Sequence, residues 1–141
     1  MQQLFAPLLA LSLAAACTME TAVPIAAPTA ASFAAASTEA ELLAMGGQKL
    51  TADGITQEVI GRSFNDIEGG WTWNILADGS QNSTATDGSW SVDVVRWTIT
   101  GDQFCRARPG DAPKCSDIYQ LGDVFRWSEG DGLANWAVMR Q

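Results

Sequence analysis

The stretch SWSVDVVRWTITGDQFCRARPGDAPKC, residues 89–115, decides the fold, because a strand pattern, a turn and two cysteines meet in it. Apolar and polar residues alternate along residues 90–94 and again along 95–100, which is the period of a β-strand. The apolar parity slips by one residue between Val94 and Val95. Since a slip would turn one half's apolar face to water, we expect a β-bulge or bend there.

Turns rich in glycine and aspartate separate the chain from residue 62 onward into segments of strand length, as at Asp78-Gly79, Gly101-Asp102 and Gly122-Asp123. The predicted strands are 62–65, 71–77, 80–86, 89–100, 103–108, 115–121, 124–128 and 133–140. Successive turns without a crossover helix predict a mainly β fold, an antiparallel meander of about eight strands. Such a meander forms a small lipocalin-like or half-open barrel, with a sandwich as the alternative.

Two short helices are predicted before the strands. Thr38 and Glu41 have the spacing of a capping box, and Gly46-Gly47 ends that helix. Thr51 is placed to cap a second helix over residues 52–60, which Gly61 ends. Helices of this kind close one end of a small sheet domain.

The first sixteen residues predict a secretory signal, because the apolar segment 4–16 is too short to span a bilayer as a helix. Residues 13–17, Leu-Ala-Ala-Ala-Cys, resemble the lipobox of bacterial lipoproteins, which implies diacylation of Cys17. Two or more acyl chains anchor a protein stably. Thr18 at the next position implies the outer membrane, with the protein facing the periplasm. The alternative is cleavage after an Ala-x-Ala site, which leaves a soluble periplasmic or secreted protein.

Residues 17–37 are rich in Ala, Pro and Thr and predict a tether, so that a single β-rich domain covers 38–141. With Cys17 lipidated, Cys105 and Cys115 remain as an even pair in an oxidising compartment. We therefore expect a structural disulfide between them. A metal or redox pair is disfavoured, because the motif is not Cys-x-x-Cys and the chain has no histidine.

Several short motifs resemble a family of small exported bacterial domains of unknown function. In that family a helix ends in Gly-Arg-Thr-Phe, and Asp-Gly-Thr, Gly-x-Trp and two cysteines follow. This chain has Gly-Arg-Ser-Phe at 61–64, Asp-Gly-Ser at 78–80 and Gly-Ser-Trp at 88–90, with Phe104 where the family has Leu. The resemblance spans roughly residues 50–140 and implies a β-rich fold and export, but no reaction.

Candidate binding residues are the six tryptophans and two arginines that flank them in sequence. Indoles either fill a small core or line a ligand cavity, and arginines beside them grip an anion, stack on the rings or lie on a solvated strand face. The set is Trp71, Trp73, Trp90, Trp97, Trp127, Trp136, Arg96 and Arg126.

Charge and composition exclude several functions. Glu20 is the first charged side chain, so the formal charge of −8 lies on the part of the chain that is exported, and it repels nucleic acid. Membrane contact is expected only through a lipid anchor. Without histidine the commonest general base and an imidazole metal ligand are missing, so we expect no enzymatic activity, metal or cofactor. Carboxylate pairs for a hydrolase remain as an alternative, such as Glu68 with Asp93 or Asp117 with Asp123.

The sequence thus predicts an exported, lipid-anchored envelope protein that binds another envelope protein or a cell-wall component. A small-ligand carrier with a tryptophan-lined barrel interior is the first alternative, and a carboxylate-dependent hydrolase is the second.

Overall fold

A computed structural model describes residues 27–141 of the protein. Over that range the chain is mainly β, as the turn spacing predicts. The helices are α1 Ala30–Ala34, α2 Glu39–Ala44 and α3 Ala52–Glu58. The strands are β1 Gln48–Lys49, β2 Arg62–Asp66, β3 Trp71–Ile75, β4 Ser80–Ala85, β5 Ser91–Thr100, β6 Gln103–Ala107, β7 Lys114–Ser116, β8 Ile118–Leu121, β9 Val124–Glu129, β10 Gly132–Leu133 and β11 Val138–Arg140.

The strands form one curled antiparallel sheet in which neighbours in sequence are mostly neighbours in space. Strands β2 to β7 pair in succession, β8 pairs β9, and β11 pairs both β9 and β2. Strand β7 is last in the order of paired strands and β8 is near its start, yet only Asp117 separates them in sequence. The two ends of the sheet therefore curl towards each other. Strand β1 adds to β8, and β10 adds to β9. The predicted meander and half-open barrel are confirmed.

The predicted irregularity of β5 is a β-bulge. Gln81 of β4 lies opposite Val95, whereas Ser83 lies opposite Val92, so β5 has one residue more than β4 between these pairs. The extra residue restores the inward direction of the following apolar side chains. Beyond the bulge, Arg96 to Thr100 pair with β6.

The concave face of the sheet holds the main core. Its aromatic rings meet largely edge to face: Phe64 lies 5.1 Å from Phe125 and 6.1 Å from Trp127, between ring centroids. Each of these three side chains is fully buried. Edge-to-face contacts suit the ring quadrupoles and add to the burial of apolar surface.

Helix α3 closes one end of the curled sheet, which we call the α3 end. Ile55 and Val59 are fully buried in the main core. The predicted cap is present, since the Gly54 amide donates to Thr51 Oγ1 at 3.3 Å. A second cap, this time a carboxylate, comes from the β5–β6 turn, where Asp102 Oδ1 accepts a hydrogen bond from the Ala52 amide at 2.8 Å. The turns at 76–79 and 122–123 lie at this same end.

A second, smaller core lies on the convex face of β8, β9 and β11, under α1 and α2. Phe33 and Leu42 are fully buried there, beside Tyr119 and Val124. A Cβ on Gly47 would lie 2.5 Å from Phe33 Cε2, so only glycine allows this approach. The capping box of α2 at Thr38 is present as predicted. Because α1 lies within the predicted tether, the packed part of the chain begins before residue 38.

The two cysteines of the domain are paired. The Sγ atoms of Cys105 and Cys115 lie 1.98 Å apart, and the residues stand opposite each other on β6 and β7. Cys17 and the predicted signal lie outside the described residues.

Candidate functional site

An open groove of about 540 Å³ lies at the end of the sheet opposite α3, which we call the tryptophan end. One wall is α1, and the other is the β2–β3 turn with the segment that leads into β11. The lining residues are Ala31, Ala34, Ala35, Asp66, Ile67, Glu68, Trp71, Asn135, Trp136 and Ala137. We call this the tryptophan groove. It is large enough for a long side chain with part of its backbone.

Four of the six tryptophans cluster at the base of the tryptophan groove. Trp73 is the centre: its ring centroid lies 5.1 Å from Trp71, 4.9 Å from Trp136 and 5.4 Å from Trp127. Trp71 and Trp136 meet edge to face at 5.8 Å. Trp73 and Trp127 are buried, whereas Trp71 and Trp136 are half-buried and line the groove. The cluster therefore joins the core to the groove wall.

The cluster already holds one cation of the chain itself. The Arg106 guanidinium carbon lies 4.8 Å from the centroid of the Trp73 ring, which is the geometry of a cation–π contact. Burial lowers the pKa of Arg106, and the negative charge of Glu129 opposes this effect. The indoles thus stabilise a guanidinium that is partly removed from water.

Two carboxylates stand at the rim of the tryptophan groove. Asp66 Oδ2 accepts a hydrogen bond from the Gly70 amide at 3.1 Å, which fixes the β2–β3 turn. Glu68 is exposed at the tip of that turn, next to the 38% exposed Ile67. Within residues 27–141 neither carboxylate has a basic group within 4.0 Å, because the salt bridges found there involve Lys49 and Arg140. The rim carboxylates therefore make no direct ion pair with the described part of the chain.

Arg126 holds the α1 wall of the groove in place. Its side chain is 3% exposed on the convex face of β9, and Nη1 donates to the carbonyls of Phe33, Ala34 and Ala36. Nη2 donates to the Ala134 carbonyl at 2.8 Å. Desolvation lowers the pKa of Arg126. Phe33 and Ala34 are the last two residues of α1, so a single guanidinium binds carbonyls at the C-terminus of this helix and joins it to the sheet.

A smaller groove of about 350 Å³ adjoins the first and includes Arg126 in its lining. The Nε atom of Arg126 is buried without a hydrogen-bond partner in the described part of the chain. The carbonyls around the guanidinium already supply partial negative charge, which disfavours an anion at this position.

The other predicted binding residues lie elsewhere. Trp97 stacks on Phe104 at 5.9 Å and donates Nε1 to the carbonyls of Leu76 and Ser80, so it packs at the α3 end. Arg96 is exposed on the outer side of β5. Trp90 is 44% exposed beside the β4–β5 turn, outside the four-tryptophan cluster.

The acidic residues considered for hydrolysis are engaged with other groups. Asp117 pairs with Lys49 at 2.9 Å, and Asp123 pairs with Arg140 at 2.5 Å. Glu68 lies in the tryptophan groove, and the side chain of Asp93 is not described. Over residues 27–141 no three Asp, Glu, Cys or His side chains are grouped so that they would hold a metal ion.

Sequence reasoning missed the groove because it treated residues 17–37 as one tether. A local signal for α1 was present, since Thr29 and Ser32 form a capping box. Nothing in the sequence places α1 across the groove from the β2–β3 turn, however, because α1 is held by long-range contacts such as those of Arg126, about ninety residues away.

No family model matches the chain, and no curated protein or solved structure is significantly similar to it. The part of the chain described by the structure contains no helix of the length and apolar character needed to cross a bilayer.

Proposed function

We propose that this chain is an exported envelope protein, anchored to the outer membrane through lipid on Cys17, that works by binding a partner in the tryptophan groove. The observation that carries the proposal is the groove itself: half-buried indoles of Trp71 and Trp136 line an open surface cleft. Half-exposed aromatic side chains in a concave site are typical of binding surfaces.

Binding to the groove requires no rearrangement of the core. Because Trp71 and Trp136 pack on the buried Trp73, their rings are held in position before a partner arrives. Such preorganisation reduces the entropy lost on association. The Arg126 contacts do the same for the opposite wall.

The proposed anchor places the groove near the membrane. Thirteen residue steps lead from Cys17 to the start of α1 at Ala30, and a chain of that length spans at most about 45 Å. Since α1 is one wall of the groove, a partner in the same envelope layer lies within reach. The acidic domain itself is repelled by anionic lipid, so the anchor is its membrane contact.

Site-specific photocrosslinking in the intact envelope tests the proposal. A photoreactive amino acid in place of Ile67, 38% exposed in the groove lining, is expected to trap a discrete partner, whereas the same residue in place of Gln57, exposed on α3, is the matched control. Trapping from both positions alike, or from neither, would contradict binding in the groove.

Labelling with radioactive palmitate tests the anchor. The wild-type chain is expected to incorporate label and the Cys17→Ser variant to incorporate none. Equal labelling of the two chains would rule out lipid on Cys17.

Carriage of a small ligand inside the sheet is the second candidate, and one observation favours it. Gln81 Oε1 and Trp127 Nε1 are buried without a hydrogen-bond partner within the described part of the chain. Unpaired buried polar atoms are costly, and a small polar ligand would satisfy them. The fully packed rings of Phe64, Phe125 and Trp127 leave this candidate second. Native mass spectrometry of protein purified from its source checks it, because a carrier retains its ligand.

A further inference from the structure

We propose that the tryptophan groove recognises a basic side chain, arginine in the first place, on a protein partner. This inference rests on the proposed function, because it names the chemistry of the partner that binds the groove. It follows from three properties of the groove: carboxylates that make no ion pair within residues 27–141, exposed indole surface and an apolar wall without long side chains.

The first property is charge. Asp66 and Glu68 line the groove and have no basic group within 4.0 Å among residues 27–141. The whole chain carries a formal charge of −8, so the field around it attracts cations. A neutral or acidic partner would cover the two carboxylates without supplying a positive charge to pair with them. Such unpaired charges disfavour the wrong partner and so produce specificity.

The second property is the indole surface. A guanidinium is weakly hydrated, stacks on aromatic rings and donates to carboxylates in the same plane, whereas an ammonium is a compact, strongly hydrated charge. The cluster contains one such contact within the protein, since Arg106 lies over Trp73 at 4.8 Å. Trp71 and Trp136 belong to the same cluster and line the groove. A partner arginine there would repeat a contact that the fold already makes.

The third property is the shape of the walls. The α1 side presents only Ala31, Ala34 and Ala35, which leaves room along the wall for an extended side chain. Ile67, 38% exposed, lies on the opposite side and offers apolar surface to the methylene groups of an arginine. The groove therefore matches an amphipathic side chain with an apolar stem and a cationic head.

Titration with defined peptides tests the inference. The probes are acetyl-Gly-Gly-X-Gly-Gly-amide, with X as Arg, Lys, Gln or Glu, and choline as a free organic cation. Binding is followed by NMR through the indole N–H signals of Trp71 and Trp136. We expect these two signals to move with the arginine peptide, less with the lysine peptide, and not with the glutamine or glutamate peptides.

Charge variants test whether the carboxylates of the groove are responsible for binding the arginine peptide. Glu68→Gln is expected to weaken binding of the arginine peptide about threefold. The double variant Asp66→Asn with Glu68→Gln is expected to weaken it about tenfold, in the range of exposed ion pairs. Asp53→Asn is the matched control, because it removes one exposed acidic charge at the α3 end. Glu68 makes no hydrogen bond in the described fold, so Glu68→Gln is expected to unfold at the same urea concentration as wild type.

Three results would overturn the inference. One is a glutamine peptide that binds as tightly as the arginine peptide. Another is an Asp53→Asn effect as large as that of Glu68→Gln, which would make the attraction a property of net charge. The third is tighter binding of choline than of the arginine peptide, which would assign the groove to a small organic cation.

Crosslinking separates this inference from the proposed function. If position 67 traps a partner but the peptides show no charge preference, the interaction function holds and the basic-side-chain assignment fails. If the arginine peptide binds as expected but position 67 traps nothing in the envelope, the recognition chemistry holds and the proposed function fails.

Discussion

At the α3 end of the sheet, Arg140 donates to Glu58 and to Asp123 at 2.5 Å, whereas at the tryptophan end Asp66 and Glu68 have no basic group within 4.0 Å over residues 27–141. The α3 end is covered by a helix whose Ile55 and Val59 are fully buried. The tryptophan end is covered only in part, and two of its indoles are half-buried.

The two ends differ in how far the charged groups of the fold are paired with one another. Charge pairs and helix caps at one end satisfy the groups of the fold itself. At the other end, Asp66 and Glu68 make no ion pair within residues 27–141, and two indoles are only half-buried. The following changes break or sharpen the contrast, beginning with the largest expected effect.

Truncation of Trp127 is expected to weaken the whole sheet. Trp127 is fully buried between Phe64 of the main core and Trp73 of the tryptophan cluster. Trp127→Ala should lower the free energy of unfolding by about 3–5 kcal/mol, measured by urea denaturation, because it removes a large ring and leaves a cavity. Trp90→Ala is the control: at 44% exposure its effect should stay within about 0.5 kcal/mol. Similar losses in both variants would contradict the assignment of core and surface.

Loss of Arg126 is expected to affect the tryptophan end selectively. Arg126→Leu leaves four carbonyls without their cationic donor, at a cost of about 2–3 kcal/mol: those of Phe33, Ala34, Ala36 and Ala134. The loss stays below the sum of four bonds, because α1 can detach and expose its carbonyls to water.

Hydrogen exchange is the measurement for that variant. The Ala35 amide, which donates to the Ala31 carbonyl, should exchange much faster in Arg126→Leu, while the Val59 amide of the α3 end should change only with global stability. Arg126→Lys keeps the charge but not the fork of donors, so an intermediate rate is expected. Unchanged exchange at Ala35 would show that another contact holds α1.

Acid titration is expected to give the smallest effect, at the α3 end. The hydrogen bond from Arg140 holds the pKa of Glu58 below its ordinary value. A carboxyl with a depressed folded-state pKa adds stability above its unfolded pKa, and this contribution is lost as the pH falls through the folded pKa. Arg140→Gln should raise the pKa of Glu58 towards the ordinary value, measured by carboxyl NMR.

Glu41 is the matched control for that titration. Its pKa is lowered chiefly by the backbone amides of Ser37 and Thr38 at the start of α2. Arg140→Gln should therefore leave the pKa of Glu41 unchanged. Equal changes at Glu41 and Glu58 would indicate a general electrostatic effect in place of the local pair.

Most strands were predictable because their signals are local. Alternating side chains and glycine turns specify extended segments, and the parity slip after Val94 correctly placed the bulge of β5. The predicted strands 115–121 and 133–140 are each interrupted, however, at Asp117 and at residues 134–137. These breaks occur where the chain changes its pairing partner, which depends on sheet closure and has no local signature.

The candidate site was predictable only in part. Trp71 and Trp73 stand two residues apart in β3 and so lie on one face of the strand, with ring centroids 5.1 Å apart. Their assembly with Trp127 and Trp136, and the separation of Trp97 to the other end, follow from how the strands curl. The sequence predicts a binding role for Arg126, but its partners in the structure are backbone carbonyls. Every residue has a backbone carbonyl, so neither composition nor spacing indicates which ones an arginine contacts.

Local chemistry alone was enough to specify the strands and their bulge, the caps of α2 and α3, and the cysteine pair, because each depends on residues close in sequence or few in number. The tertiary structure decided which indoles meet, which carboxylates have no ion-pair partner within residues 27–141 and where α1 lies. Those outcomes arise from contacts between distant segments, such as Arg126 with the end of α1, and they make the groove.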